Sequence, residues 1–120
     1  MVKTESLGRF GEQCAADYLE KKGYKIIERN FRCRAGEIDV IAADAEYIVF
    51  AEVKLRKNAD YGEAREFVTL SKQSKVKKAA LYYLSGKNLA LQPRFDVIEV
   101  YAPSGEGGNV TVNHLENAFY

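Results

Sequence analysis

An α/β (α+β) domain with a central mixed β-sheet flanked by helices is what this sequence predicts, on three observations. Two segments carry apolar residues at spacings of three and four, one at the start of the chain and one after residue 70. Between and after them lie short apolar, β-branched runs separated by turn signals. The resulting order of helix, three strands, helix and two strands favours a sheet with helices on its faces. The apolar continuity of 38–43 and 47–51 further predicts central strands covered on both sides.

The first helix is expected from Ser6 to Lys22, with Leu7, Phe10, Gly11, Cys14, Ala15, Tyr18 and Leu19 on one face. Lys21 and Lys22 suit the negative end of its dipole, and Gly23 suits the position just past its end. A strand follows at Tyr24 to Phe31, then a hairpin between Ile38 and Leu55, then a polar loop over 56–68 containing Tyr61-Gly62. The second helix is expected from Ser71 to Gly86, with Thr69 or Ser71 as its N-cap. Val76, Ala80, Leu81, Tyr83 and Leu84 define its buried arc. Gln73 projects into the middle of that arc, where an amide needs a hydrogen-bonding partner. Pro93 introduces a strand at Arg94 to Tyr101, and a short last strand is expected at Val110 to Asn113.

With 120 residues, 47% hydrophobic and 29% charged, the chain reads as a single soluble domain, residues 1–120, able to bury its own core. A net charge of +1 does not by itself signal a polyanionic partner, so any such surface must come from local clustering. Cys14 and Cys33 lack metal-ligand spacing and read as buried free thiols in a reducing compartment. No apolar run reaches the roughly 18 residues of a membrane span. The first residues also lack a signal-peptide core, so the expected location is cytoplasmic, with no membrane partner.

The chemistry concentrates in Gly36-Glu37-Ile38-Asp39 and, thirteen residues after the aspartate, Glu52-Val53-Lys54. With the hairpin turn centred between Ala45 and Glu46, residues whose numbers sum to 91 face each other, which sets Asp39 opposite Glu52 and Glu37 opposite Lys54. Alternation puts Glu52 and Lys54 on one face of their strand. Opposed carboxylates destabilise a sheet unless something positive lies between them. A magnesium or manganese ion meets that need, because a hard cation that keeps its waters requires only one or two carboxylates plus a substrate phosphate. Asp39 and Glu52 are the candidate ligands, with the main-chain carbonyl of Val53 as a third, and Lys54 is placed to handle a proton or offset charge. An aspartate followed by Glu-x-Lys on the next strand is the arrangement of the PD-(D/E)xK nucleases. A structural ion pair, Glu52 with Lys54 or Glu37 with Lys54, is the competing account.

The wider sequence bears on that choice. Gly8-Arg9-Phe10-Gly11-Glu12, Glu28-Arg29-Asn30-Phe31-Arg32, Gly36-Glu37-Ile38-Asp39, Phe50-Ala51-Glu52-Val53-Lys54, Lys72-Gln73, Arg94-Phe95-Asp96-Val97-Ile98 and Leu115-Glu116-Asn117-Ala118-Phe119 together resemble the YraN-like family of small bacterial proteins. That family is regarded as endonuclease-like through its similarity to archaeal Holliday-junction resolvases. The resemblance implies a restriction-endonuclease-like fold, dependence on Mg²⁺ or Mn²⁺, and DNA, branched DNA included, as substrate. It carries metal binding onto Asp39 and Glu52 and the catalytic lysine onto Lys54. Glu12 matches a further acidic position, and Gln73 a glutamine that supports the active site. Glu12 flanks the apolar stripe of its helix and could equally pair with Arg9 as a surface charge. Arg9, Arg56, Tyr61 and Lys72 are the candidate nucleic-acid contacts, with Arg32, Arg34 and Arg65 as further basic positions, while His114 reads as structural. A homodimer is compatible with cutting two strands. A nucleic-acid-binding protein that keeps the fold without cleaving, and an interaction module with an ion-pair cluster, are the alternatives.

Overall fold

The computed structural model describes residues 4–56, 69–103 and 107–120. Five strands form one sheet in chain order: β1 (Lys25–Cys33), β2 (Gly36–Ala43), β3 (Tyr47–Arg56), β4 (Gln92–Tyr101) and β5 (Thr111–Phe119). Helix α1 (Thr4–Lys21) precedes the sheet, and α2 (Leu70–Leu84) lies between β3 and β4. Strands β3 and β4 run parallel, which demands a long crossover such as α2 supplies, and the other neighbours are antiparallel. The mixed sheet expected from the sequence is therefore present.

Both faces of the central strands are covered. Ala15 and Leu19 of α1 pack on Val40, Ala42, Val49, Ala51, Ile98 and Val100. Val76, Ala79, Ala80 and Tyr83 of α2 pack on Ile38, Ile41, Ile48, Phe50 and Val97 on the opposite side. Gly23, at φ +101°, ends α1 as expected: its N–H bonds the Glu20 carbonyl at 3.0 Å and the Tyr24 N–H reaches back to Leu19 at 2.9 Å. Thr69, rather than Ser71, caps α2, its hydroxyl accepting the Lys72 N–H at 3.1 Å.

Three expectations need correction. Leu81 does not join the buried arc but is 68% exposed, because α2 meets the sheet along the narrow stripe of Val76, Ala79, Ala80 and Tyr83. The last strand runs on to Phe119 instead of ending at Asn113. Its polar sequence hides this: a register shift between Phe95 and Val97, with Asn117 at φ 53°, lets an irregular strand stay paired to β4. Cys14 and Cys33 are not joined in a disulfide, and both are only half-buried. The Tyr61 and Arg65 positions lie outside the described residues.

A buried polar network fastens β4 to β5. Asp96, fully buried, accepts from Arg94 Nε at 2.9 Å, Arg94 Nη2 at 2.8 Å and the Asn117 N–H at 3.0 Å, and lies 2.6 Å from His114 Nε2. Arg94 Nη2 also reaches the Tyr24 hydroxyl at 2.6 Å. His114 is thus structural, as its sequence position suggested. Burial raises the Asp96 carboxyl, but His114, Arg94 and the Asn117 N–H outweigh it and hold the group below its ordinary 3.8. Such a group stabilises the fold above that value, and the contribution disappears as pH falls through the folded pKa. Asp96→Asn leaves a buried guanidinium short of its counter-charge. In urea denaturation at pH 7 it is expected to lose about 3 kcal/mol of stability, a loss that narrows below pH 4.

Candidate active site

The β2–β3 hairpin closes on a two-residue loop. Asp44 N–H bonds the Tyr47 carbonyl at 3.0 Å, and the Asp44 carboxylate accepts the N–H groups of Glu46 and Tyr47 at 2.9 and 2.7 Å. This fixes the register as residue numbers summing to 91, from Ala43–Ile48 to Val40–Ala51. There the ladder stops. Beyond it β2 stays with β1 through Phe31–Ile38, Arg32–Glu37 and Cys33–Gly36, while β3 stays with β4 as far as Arg56–Tyr101. The sheet forks, and Asp39 and Glu52 are the first residues on its two arms.

One device for the fork lies in the β1–β2 ribbon. Val40 packs under α1, whereas Ile38, which regular alternation would put on the same face, packs under α2. The strand rolls over at Asp39. Across from it, between the Arg29–Val40 and Phe31–Ile38 pairs, stands Asn30 at φ 54°, a left-handed conformation that asparagine tolerates better than most residues. The Val53 N–H, freed from the ladder where the arms part, donates to Asp39 Oδ2 at 2.9 Å. That bond aims the carboxylate into the fork.

Glu52 points to the α2 side and is fully buried. Neither of its oxygens accepts a well-directed hydrogen bond, although Lys72 Nζ stands 3.1 Å from Oε2. Glycines bring both helices close to these carboxylates. At Gly36 an added Cβ would lie 3.1 Å from Lys75 Cβ, so the first turns of α2 can press on the start of β2. At buried Gly11 it would meet Leu55 Cβ at 3.4 Å and Val53 Cγ1 at 3.8 Å, so α1 lies against β3 past the fork. Glu12 follows on the same turn. Its charge acts on Asp39, and its Oε1 is buried without a hydrogen-bond partner.

The electrostatics follow from this crowding. Burial, then the charge of Asp39, pushes the Glu52 carboxyl up to about 7. Asp39 is raised too, by burial first, with Glu12 and Glu37 adding and the Val53 N–H and Lys72 opposing. Burial lowers the Lys54 ammonium, and the neighbouring Lys72 lowers it further against the pull of Glu52 and Asp39. Burial works against the Lys72 ammonium as well, but Glu52 and Asp39 more than compensate and raise it.

Five of the residues singled out from the sequence, Glu12, Asp39, Glu52, Lys54 and Lys72, thus act on one another across the fork. Gln73 is half-buried on the first turn of α2, where its N–H bonds the Thr69 carbonyl at 2.8 Å. Exposed Arg9 borders a concavity of about 600 Å³ with Gly8, Glu12, Asn30 and Arg32. Arg56 is placed elsewhere: its guanidinium pairs with Glu99 and lies 5.5 Å from the Tyr101 ring. Glu37 does not face Lys54 in an ion pair but pairs with Arg32 at 3.1 Å, because the fork takes β2 away from β3 before they could meet. Sequence reasoning missed Asn30, whose signal is a strand-averse residue inside a strand pattern.

Among the described residues no three His, Cys, Asp or Glu side chains form a group able to enclose a metal. The donors that are present nevertheless fit a hard divalent cation that retains waters. They are Glu52, both of whose oxygens are buried without a hydrogen-bond partner, half-buried Asp39 beside it, and Glu12 close by with one buried, unpartnered oxygen. Also among the described residues, no helix is long and apolar enough to cross a membrane.

The profile of the family described as uncharacterised protein family UPF0102 matches residues 11–100. A UPF0102 protein of Caldanaerobacter subterraneus subsp. tengcongensis is 47% identical over 119 residues, covering 98% of both chains. One from Clostridium botulinum (strain Loch Maree / Type A3) is 46% identical over 96% of this chain and 94% of its own. One from Thermodesulfovibrio yellowstonii is 46% identical over 95% of this chain and 96% of its own.

A carboxyl group held above its unfolded value keeps in the fold a proton that the unfolded chain has lost. The metal-free protein should therefore lose stability as pH rises from about 4.5, the ordinary value for Glu52, to about 7. Glu52→Gln removes that charge. In chelator it is expected to exceed the parent by about 2 kcal/mol at pH 8, with the difference shrinking toward pH 5, in urea melts across that range. A variant less stable than the parent at pH 8 would show that ionised Glu52 is well accommodated.

Proposed function

This chain belongs to UPF0102, the YraN-like family that its sequence resembles, and from that premise and the forked sheet we propose that it is a divalent-metal-dependent DNA endonuclease with a restriction-endonuclease-like fold. One contrast carries the reading. The buried carboxylates Asp96 and Glu99 are saturated with partners, and each is held below its ordinary pKa. Glu52, equally buried, keeps both oxygens undersatisfied beside a second acid. A sheet that only needed an ion pair there would be expected to resemble its other two. An undersatisfied carboxylate beside a second hard donor suits a cation that the protein acquires.

Asp39 and Glu52 would hold that cation. Val53 would add its main-chain carbonyl, which in an extended strand points to the same edge as the N–H given to Asp39. A bound Mg²⁺ or Mn²⁺ supplies polarisation of the phosphate oxygens and acidifies a water near neutral pH. In the hydrolysis, a water oxygen forms a bond to phosphorus, one bridging P–O bond breaks, and a proton ends on the departing oxygen. Lys54 borders that chemistry on the Glu52 face, and its lowered pKa makes it a readier proton carrier than a surface lysine. Glu12 adds negative charge beside Asp39, which raises the attraction for a cation. Gln73 is a positioning residue on α2.

Arg9 and Arg32 at one concavity, and Lys72 and Lys75 at another, flank the fork and suit a sugar–phosphate backbone. Such contacts are local, which reconciles a polyanionic substrate with a net charge of +1. Branched DNA and a symmetric dimer belong to this reading through the family resemblance.

Calorimetric titration with Mn²⁺ should show a site in the parent that is lost in Asp39→Ala and in Glu52→Ala. Lys54→Met should bind metal yet cleave branched or single-stranded DNA at least a hundredfold more slowly. Metal-dependent binding of DNA without cleavage by the parent would instead assign the non-catalytic role. No metal binding, with or without DNA, would remove the proposal altogether.

A further inference from the structure

Lys72 is anomalous for a surface lysine. Its side chain is 42% exposed, yet its ammonium reaches down to a carboxylate with almost no exposure and stops 3.1 Å from Glu52 Oε2. It does so from the first turn of α2, where its own N–H is tied to the Thr69 cap at 3.1 Å. The same side chain lines a cavity of about 310 Å³ with Gly36, Glu37, Thr69, Ser71, Lys75 and Val76. Lys72 therefore borders two places, the carboxylate pair and a polar cavity that also holds a second lysine and two hydroxyl-bearing residues.

We infer that Lys72 is an exchangeable counter-ion: it neutralises Glu52 in the metal-free protein, is displaced when a divalent cation binds, and then turns into the α2 cavity to hold a phosphate of the DNA strand. The inference rests on the metal-binding reading above and deepens it, since it makes metal and DNA binding cooperative through one side chain. The physical reason is competition for the same lone pairs. A cation bound to Glu52 takes the electron density that holds the ammonium, and its double charge repels the Lys72 ammonium that stood at the same oxygen. Released, a flexible lysine carries its charge a few ångströms toward Lys75 and Ser71, and a phosphate there gains the partner that Glu52 has given up. Glu37, on the same cavity wall, pairs with exposed Arg32 at 3.1 Å, and its charge also acts on Lys72.

The test pairs two measurements on the full chain, parent and Lys72→Met. In chelator the variant should melt roughly 4 °C lower, because Glu52 loses its counter-ion. In saturating Mn²⁺ the two should melt together, and by closure of the cycle the variant should bind Mn²⁺ about tenfold more tightly. A 12-nucleotide single-stranded DNA, titrated in Ca²⁺ and again in chelator, reads the second half. Lys72→Met should weaken binding about tenfold in Ca²⁺ and hardly at all in chelator. Equal melting penalties with and without Mn²⁺ would mean that Lys72 never leaves Glu52. Equal losses of DNA affinity in both conditions would mean that it always faces the phosphate, and either result overturns the inference. If the parent binds no metal, the reading beneath it fails first, and that result is separately visible. Lys72→Gln repeats the series should the methionine variant fold poorly.

Discussion

When two neighbouring strands part inside a sheet, the amides along the gap lose their partners, and a buried amide cannot go unpaired without cost. Beyond the Val40–Ala51 pair that is the situation of β2 and β3, and there the Val53 N–H turns to Asp39. Much of the site's geometry depends on this substitution of a carboxylate for a strand. It holds the fork open, fixes the direction of the Asp39 side chain, and brings that acid against Glu52 on the other arm. A backbone carbonyl in the same place would have continued the ladder and left no gap. The remaining carboxylate capacity of Asp39 is what the fork can offer to chemistry.

Each helix meets an arm of the fork as well as the intact half of the sheet. Gly36 and Gly11 sit where α2 meets the start of β2 and where α1 meets the far part of β3. A close approach on each side is what brings Lys72 down to Glu52 and Glu12 next to Asp39. The apolar stripes behind them, Val76 to Tyr83 on α2 and Ala15 to Leu19 on α1, anchor the helices on the closed part of the sheet. Core packing and site assembly are thus divided along the length of each helix.

Much of this was legible in the sequence, and the reason is register. A two-residue loop fixes every cross-strand partner in a hairpin, so centring the turn on Ala45-Glu46 was enough to bring Asp39 and Glu52 together. The same rule misplaced Glu37, because it assumes a ladder that continues, and nothing in the alternation of residues 36–40 announces that β2 turns away. A left-handed Asn30 stands opposite the point of departure on another strand, a backbone property that composition hints at but does not specify. Arg56 illustrates a different limit. An arginine at the end of a strand reads as a phosphate contact until the strand beside it supplies Glu99, and that pairing depends on the parallel β3–β4 register set by a distant crossover. Leu81 and the full length of β5 were hidden for the ordinary reason that burial follows from how elements pack together.

Stability and the site pull in opposite directions here. Replacing a buried acid pair with well-packed apolar residues commonly leaves a fold as stable or more so. The other buried acids of this sheet repay their burial: Asp96 joins β4 to Arg94, His114 and the β5 backbone, and Glu99 joins Arg56, Tyr101 and Asn113. Glu52 and Asp39 tie nothing comparable together, and each holds its proton more tightly than an ordinary carboxyl group. A chain that can satisfy two buried carboxylates fully, and leaves a third undersatisfied beside a fourth, is not short of the means to satisfy them. The strain is local to the fork, and the rest of the sheet is built to tolerate it. A cation that binds only the folded chain would reverse its sign, making the crowded carboxylates a source of stability when the site is filled.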